Sequence, residues 1–208
     1  MNKKDKTPTS EYDQLNLYTM KDLIIEHYMA IEERYEKFHA MNEVEKKEFL
    51  SIHKSNKTNN LIEPLKNVLN IAKKKNGFVT IFSPIIDKIK LTDYLYASFC
   101  NTLKLETLES GNFSCTDWVK LANLMEELAL FNNLYIITDP LLTSENIVKY
   151  CNTISSGYKQ EAENCIMIDY FNLVTDNNNS QTKFNPKLFV EKLSKEYNAK
   201  VIPVYRNE

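Results

Sequence analysis

The sequence predicts an α/β fold, a parallel sheet flanked by helices and preceded by an N-terminal amphipathic helix. Short runs rich in β-branched and aromatic residues, GFVTIFS, LYIIT, CIMIDYFNLV and KVIPVY, alternate with helical patterns of about ten residues or more, which is the spacing of βαβ units. CIMID and LYIIT are apolar without alternation, as in strands covered on both faces.

Taken in order, residues 1–18 are polar and read as a tail. From Thr19, a candidate N-cap, Met20, Leu23, Ile24, Tyr28, Ile31, Tyr35 and Phe38 recur at steps of three and four with glutamates between them, the stripe of an amphipathic helix. EVEKKEFL continues in helical style. NNLIEPLKNVLNIAKKKN is a helix whose regular part begins at Pro64. The strand GFVTIFS and the helix KIKLTDYLYASFCNTL follow. Beyond Gly111, Trp118, Leu121, Leu124, Met125 and Leu128 share one helical face. LYIIT is the next strand, and Thr143 caps a helix over TSENIVKYCNTI. CIMIDYFNLV is a strand carrying a single carboxylate, Asp169. A polar loop leads to the helix opened by Pro186, and KVIPVY closes the sheet. The boundaries expected are 1–18, 19–50 and 51–208.

Composition excludes several classes. With 26 basic and 28 acidic residues the net charge is -2, so no global basic field favours nucleic acid, although Lys54, Lys57 and Lys73 to Lys75 are locally positive. Cys100, Cys115, Cys151 and Cys165 have neither zinc-ligand spacing nor the density of a disulfide framework, and are expected reduced in the interior of a cytoplasmic protein. His27, His39 and His53 read as surface or helix-face residues. No apolar run reaches the roughly 20 residues of a membrane span. Only three glycines occur, Gly77, Gly111 and Gly157, where average usage would give about fifteen.

That scarcity bears on SIHKSNKT, residues 51–58, which ends in the Lys-Thr of a phosphate-binding loop, G-x-x-x-x-G-K-[ST]. Ser51 and Asn56 stand in both glycine places, where the backbone must turn its N–H groups onto phosphate. Asp169, at the carboxyl end of an apolar strand about 110 residues later, is where nucleotide hydrolases place a magnesium-binding carboxylate. Taken alone, an aspartate at a strand end more often caps a turn than binds a metal.

With that order of features, the sequence resembles the C-terminal ATPase domain of DnaB-type replicative helicases. The stretch GNFSCTDWVKLANLMEELALFNNLYIITDPLLTSENIVKYC is similar to the corresponding region of that family. CIMIDYFNLV resembles its I-D-Y-L-Q-L strand, VTIFS its V-x-I-F-S-L-E-M strand, and NKTNN falls at the place of its G-K-T. The resemblance implies a RecA-like sheet, a vestigial nucleotide site at Lys57, Thr58 and Asp169, and a linker-like helix in MKDLIIEHYMAIEERYEKF. In that family's ring this helix docks on the neighbouring subunit, which marks Leu23, Ile24, Tyr28, Ile31 and Tyr35 for partner contact, while packing of the same stripe on its own domain is an equal expectation.

The departures imply lost chemistry. The family's catalytic glutamate falls on Ile85, which cannot activate water, and loss of a general base removes about 10²- to 10⁴-fold in rate. The glutamine of D-Y-L-Q-L falls on Asn172. The family's DNA-binding loops and arginine finger lie beyond the part matched. The expectation is a non-catalytic relative, a pseudo-ATPase with no cofactor, that binds a replicative helicase or its loader and modulates DNA replication, with direct DNA binding weak or absent. The alternative is a divergent helicase or ATPase domain holding Mg-ATP through Lys57, Thr58 and Asp169, with Asp87 a substitute base.

Overall fold

The computed structural model describes residues 16–54, 60–100, 102–157, 162–175 and 184–206. Its sheet has the order β1-β3-β2-β4-β5, built from β1 (Leu17–Thr19), β2 (Val79–Phe82), β3 (Leu134–Ile137), β4 (Asn164–Ile168) and β5 (Ala199–Pro203). Strands β2 to β5 are parallel, and β1 pairs antiparallel with β3. The four strands predicted from apolar runs are present. β1 falls in what reads from sequence as the tail, and corrects it: Leu17 is buried at the sheet edge. At the opposite edge, β5 ends in Pro203, which donates no ladder hydrogen bond and blunts the edge against further pairing.

Helices cover both faces. Residues Val79 and Ile81 of β2, Leu134 and Ile136 of β3, and Cys165 and Met167 of β4 point to one layer. That layer holds α1 (Met20–Ala40), α3 (Ile62–Ala72), α4 (Lys88–Phe99), α5 (Leu105–Ser110) and α6 (Cys115–Ala129). Phe78, Phe82, Ile137, Ile166 and Ile168 point to the other, under α7 (Ser144–Ser155) and α8 (Pro186–Glu196). The period of two thus sorts even the continuous apolar strands between two cores.

Local chemistry sets the helix ends. Thr19 and Asp22 form a capping box at α1, and Ser114 and Asp117 form another at α6, each supplying side-chain partners to orphan backbone N–H groups. Thr143 caps α7 as expected, and Asn185 caps α8 with Pro186 in its first turn. Pro64 lies in the first turn of α3, where its missing N–H costs nothing. α2 (Glu43–Lys54) runs through residue 51, so the boundary expected between 50 and 51 falls inside a helix. The cysteines are free; Cys151 and Cys165 are buried, but Cys115 is exposed, contrary to the interior placement expected for all four.

Gly111 ends α5 at φ 73, and a Cβ there would lie 2.5 Å from the carbonyl carbon and oxygen of Arg34 in α1. Both the left-handed backbone and the close approach require glycine. Gly111→Ala is expected to cost about 2 kcal/mol or more, because backbone strain adds to a clash with rigid helix backbone; urea unfolding of the variant measures it.

Candidate functional site

The chain leaves β2 toward β3 on one side of the sheet and leaves β4 toward β5 on the other, so the carboxyl ends of β2 and β4 form a topological switch point. Such crevices are where open α/β sheets bind ligands. Asp169, the first residue after β4, is fully buried there. Its N–H donates to the Phe82 carbonyl at 2.8 Å, which fixes the turn that follows. Its Oδ2 accepts from Ser83 Oγ at 3.2 Å, and its Oδ1 accepts from Arg206 Nε at 2.7 Å. Burial pushes the Asp169 carboxyl above its ordinary value, against the pull of the Arg206 guanidinium and the Ser83 hydroxyl.

Arg206 lies just beyond β5. Its guanidinium carbon sits 4.9 Å from the centre of the Tyr170 ring, and its backbone N–H donates to Asn172 Oδ1 at 3.3 Å. Tyr170 adopts φ 52, a strained conformation for a bulky residue, which places its ring under the guanidinium. Both oxygens of Asp169 therefore have protein partners, one of them a full positive charge. This arrangement does not suit direct ligation of a magnesium ion: among the described residues Asp169 and Ser83 are the oxygen donors here, and a cation bound to the Asp169 carboxylate itself would have to displace Arg206. Among the described residues no cluster of three or more His, Cys, Asp or Glu side chains could hold a metal.

The other residues singled out by sequence are placed as follows. Lys57, Thr58 and Asn56 lie outside the described residues. Ser51 continues α2 and donates to the Glu48 carbonyl, so the first glycine place of the loop motif is helical and corrects the reading of residues 51–54 as loop. A helical turn has its N–H groups engaged along the helix axis rather than splayed toward a phosphate. Ile85 follows β2 and is exposed. Asp87 is the N-cap of α4, accepting from the N–H groups of Ile89 and Lys90 at 3.0 Å each, and its carboxylate is taken up there.

The stripe on α1 packs largely on its own chain, one of the two placements left open by the sequence. Leu23 and Ile31 are fully buried against α4 and the sheet layer of their own chain, and Ile24 and Tyr35 pack against the same cluster. Tyr28 stays more than a third exposed, with its ring 6.3 Å from that of Trp118 in α6. His27 is a helix-face residue, as one of the two expected placements had it, and is fully buried. It forms the centre of a polar lock: His27 Nε2 lies 2.7 Å from Asp93 Oδ1, and Arg34 Nη1 donates to Asp93 Oδ1 and Oδ2 at 2.9 and 3.0 Å and to the Leu108 carbonyl at 2.9 Å. The sequence signal was available, since Leu23, His27 and Ile31 are successive i, i+4 positions on one helical face.

No helix among the described residues is long and apolar enough to cross a membrane. A family model described as the DnaB-like helicase C terminal domain matches residues 54–204, well over half of the chain. None of the curated proteins compared matches it. Among solved structures the chain is similar to one described as an "ATPase Domain", with a TM-score of 0.59 and 17% identity over 69% of this chain and 51% of that one. It is also similar to "The Structure Of A DnaB-Like Replicative Helicase And Its Interactions With Primase", with a TM-score of 0.59 and 18% identity over 69% of this chain and 35% of that one. The chain thus spans about half and about a third of the length of these two structures, and the likeness at such identities is one of fold, the RecA-like sheet.

Proposed function

The chain belongs to the DnaB-like helicase C-terminal domain family, and from that premise we propose that it is a non-catalytic member, one that binds the replicative helicase or its loader and so modulates DNA replication. The observation that carries this reading is the Arg206–Asp169 pair. A carboxylate that would hold a hydrated magnesium ion is instead buried and neutralised by a cation of its own chain. Ile85, on the strand end beside it, brings no proton acceptor, and the nearby Asp87 is consumed as a helix cap.

A protein partner is supported by kinship: one neighbour in fold is a DnaB-like replicative helicase described with its interactions with primase. With Leu23 and Ile31 in its own core, α1 offers a partner only its outer face, where Ile25, Tyr28 and Met29 remain exposed. The rival reading, a divergent ATP-binding helicase domain, is favoured by the retention of Asp169 and Ser83 at the switch point. Calorimetric titration with Mg-ATP, with an ATP-hydrolysis assay beside it, separates the two. The expected result is no saturable heat up to millimolar nucleotide. Saturation at micromolar concentration, lost in Lys57→Ala, would show a working nucleotide site, either of an enzyme or of a nucleotide-gated switch, and ATP hydrolysis by the same preparation would overturn the non-catalytic reading.

A further inference from the structure

The parallel strands of the sheet deliver more than Asp169 to their carboxyl ends. The segment after β2 presents Ile85 at 51% exposure, that after β3 Leu141 at 74%, that after β4 Leu173 at 40%, and that after β5 Tyr205 at 60%. A switch-point rim built for a nucleotide presents backbone N–H groups and charged side chains to phosphate. Each of the four segments turns a large apolar side chain to solvent, and at the switch point between them the Asp169 carboxylate is taken by Arg206. The segments are held to one another. Ser144 N–H donates to the Thr175 carbonyl at 2.9 Å beside a bridge between Thr143 and Thr175, which ties the segment after β3 to that after β4. The Phe171 ring lies 5.6 Å from the Tyr205 ring, which ties the segments after β4 and β5.

We infer that this rim of Ile85, Leu141, Leu173 and Tyr205 docks a short linear segment of a partner protein, one with large apolar side chains flanked by lysine or arginine. The inference rests on the non-catalytic reading, since a working nucleotide site would occupy the same crevice. Two features select this occupant. Four exposed apolar side chains at the ends of adjacent strands offer a few anchor points, well short of the roughly 800 Å² that each partner contributes to a stable dimer. That size suits a peptide with a few anchor side chains better than a second copy of the chain. Charge points the same way. Lys88 and Arg206 are paired internally with Glu26 and Asp169, while Asp87, which caps α4, and Asp139, which accepts from the Leu141 N–H and the Tyr150 hydroxyl, have neutral partners and are in no ion pair among the described residues, so their charge is not cancelled by a cation. The exposed Lys90, one turn along α4, offsets part of this excess, so the apolar side chains are the main anchors and the carboxylates select the flanks.

The test is selection of binders from a random library of roughly twelve-residue peptides on the intact protein. Affinities for wild type, Leu141→Ser/Leu173→Ser and the control Ile25→Ser, exposed on α1, are then measured by fluorescence anisotropy. These side chains are solvent-exposed, so the variants are expected to fold, with circular dichroism as the check. The expected result is a set of peptides with net positive charge and two or more large apolar residues, bound about tenfold more weakly by the double variant and unchanged by Ile25→Ser. Peptides that bind the double variant equally well, or that carry net negative charge, would overturn the inference. So would a dimer in sedimentation velocity that the double variant abolishes, because the occupant would then be a second copy. The Mg-ATP titration and an ATP-hydrolysis assay, run on the same preparation, keep the two readings apart: hydrolysis sinks the non-catalytic reading, whereas rim-independent peptides without hydrolysis sink this inference alone.

Discussion

Asp93→Ala is expected to cost the protein about 3 kcal/mol and to loosen α1 from the layer beneath it. Asp93 is almost fully buried and satisfies two cationic or hydrogen-bonding partners at once, His27 and Arg34. Removing one member of a buried charged cluster costs about 3–5 kcal/mol, because the other members stay desolvated without partners. The lower end applies here, since the Arg34 side chain is a quarter exposed and water can take up part of its charge. The position is already short of hydrogen bonds: among the described residues His27 Nδ1 and the Tyr96 hydroxyl are buried without a hydrogen-bond partner, and the two rings meet edge-on at 4.5 Å. Little slack remains to absorb a further loss. Urea unfolding gives the magnitude, and hydrogen exchange along α1 shows whether the loss is local to that helix. Replacing the three residues together by apolar ones of similar size, His27→Leu, Arg34→Met and Asp93→Leu, is expected to be far milder than Asp93→Ala alone, as it removes the charges instead of stranding them. A cost below about 1 kcal/mol for Asp93→Ala would show that hydrophobic packing of Leu23 and Ile31 holds α1 without the lock.

What could be read from the sequence follows from how each element is stabilised. β2, β3 and β4 were legible because strands covered on both faces are apolar at nearly every position, and the edge strand β5, with Lys200 exposed, was legible by its β-branched pair Val201 and Ile202. The caps at Thr19 and Thr143 and the proline at the start of α8 were legible because capping is local chemistry, read within four residues. β1 and α5 were not: three and six residues hold too little of either period, and their stability is borrowed from β3 and from the contact of Gly111 with α1. The helical fate of Ser51 had a local cause, since no glycine or proline interrupts the chain between Glu43 and Lys54. In the site, Asp169 announced itself by breaking an apolar run, but its partner Arg206 lies 37 residues on, in a segment with no pattern to mark it. The same holds for Asp93, which is 66 residues from His27 and 59 from Arg34. Lone charges at strand and helix ends are visible in a sequence, whereas their pairing is decided by the fold.

Arg206→Ala tests that pairing directly, with an expected loss of about 3 kcal/mol at neutral pH and a smaller loss in acid. In the native chain burial already holds the Asp169 carboxyl above its ordinary value, and the Arg206 charge is the chief pull in the other direction. A carboxyl whose folded value is raised contributes its stability fully below the unfolded value of about 3.9, and loses it as pH rises through the folded value. Deleting the guanidinium moves that folded value higher still, so the variant pays an increasing cost across the range up to neutrality, where the native protein has Arg206 to compensate. The deficit of Arg206→Ala relative to wild type should therefore shrink as pH falls from 7 toward 4, where Asp169 takes up a proton and no charge is left stranded. Adding Asp169→Asn to Arg206→Ala is expected to recover most of the stability at pH 7 and to flatten the pH dependence, because a carboxamide keeps the hydrogen bond with Ser83 without a charge to bury. Urea midpoints at the two pH values, for the single and double variants, supply the comparison. Equal deficits at both would assign the contribution of Arg206 to its contact with the Tyr170 ring, which no proton on Asp169 can replace, and would remove the main support for regarding the arginine as the resident cation of this site.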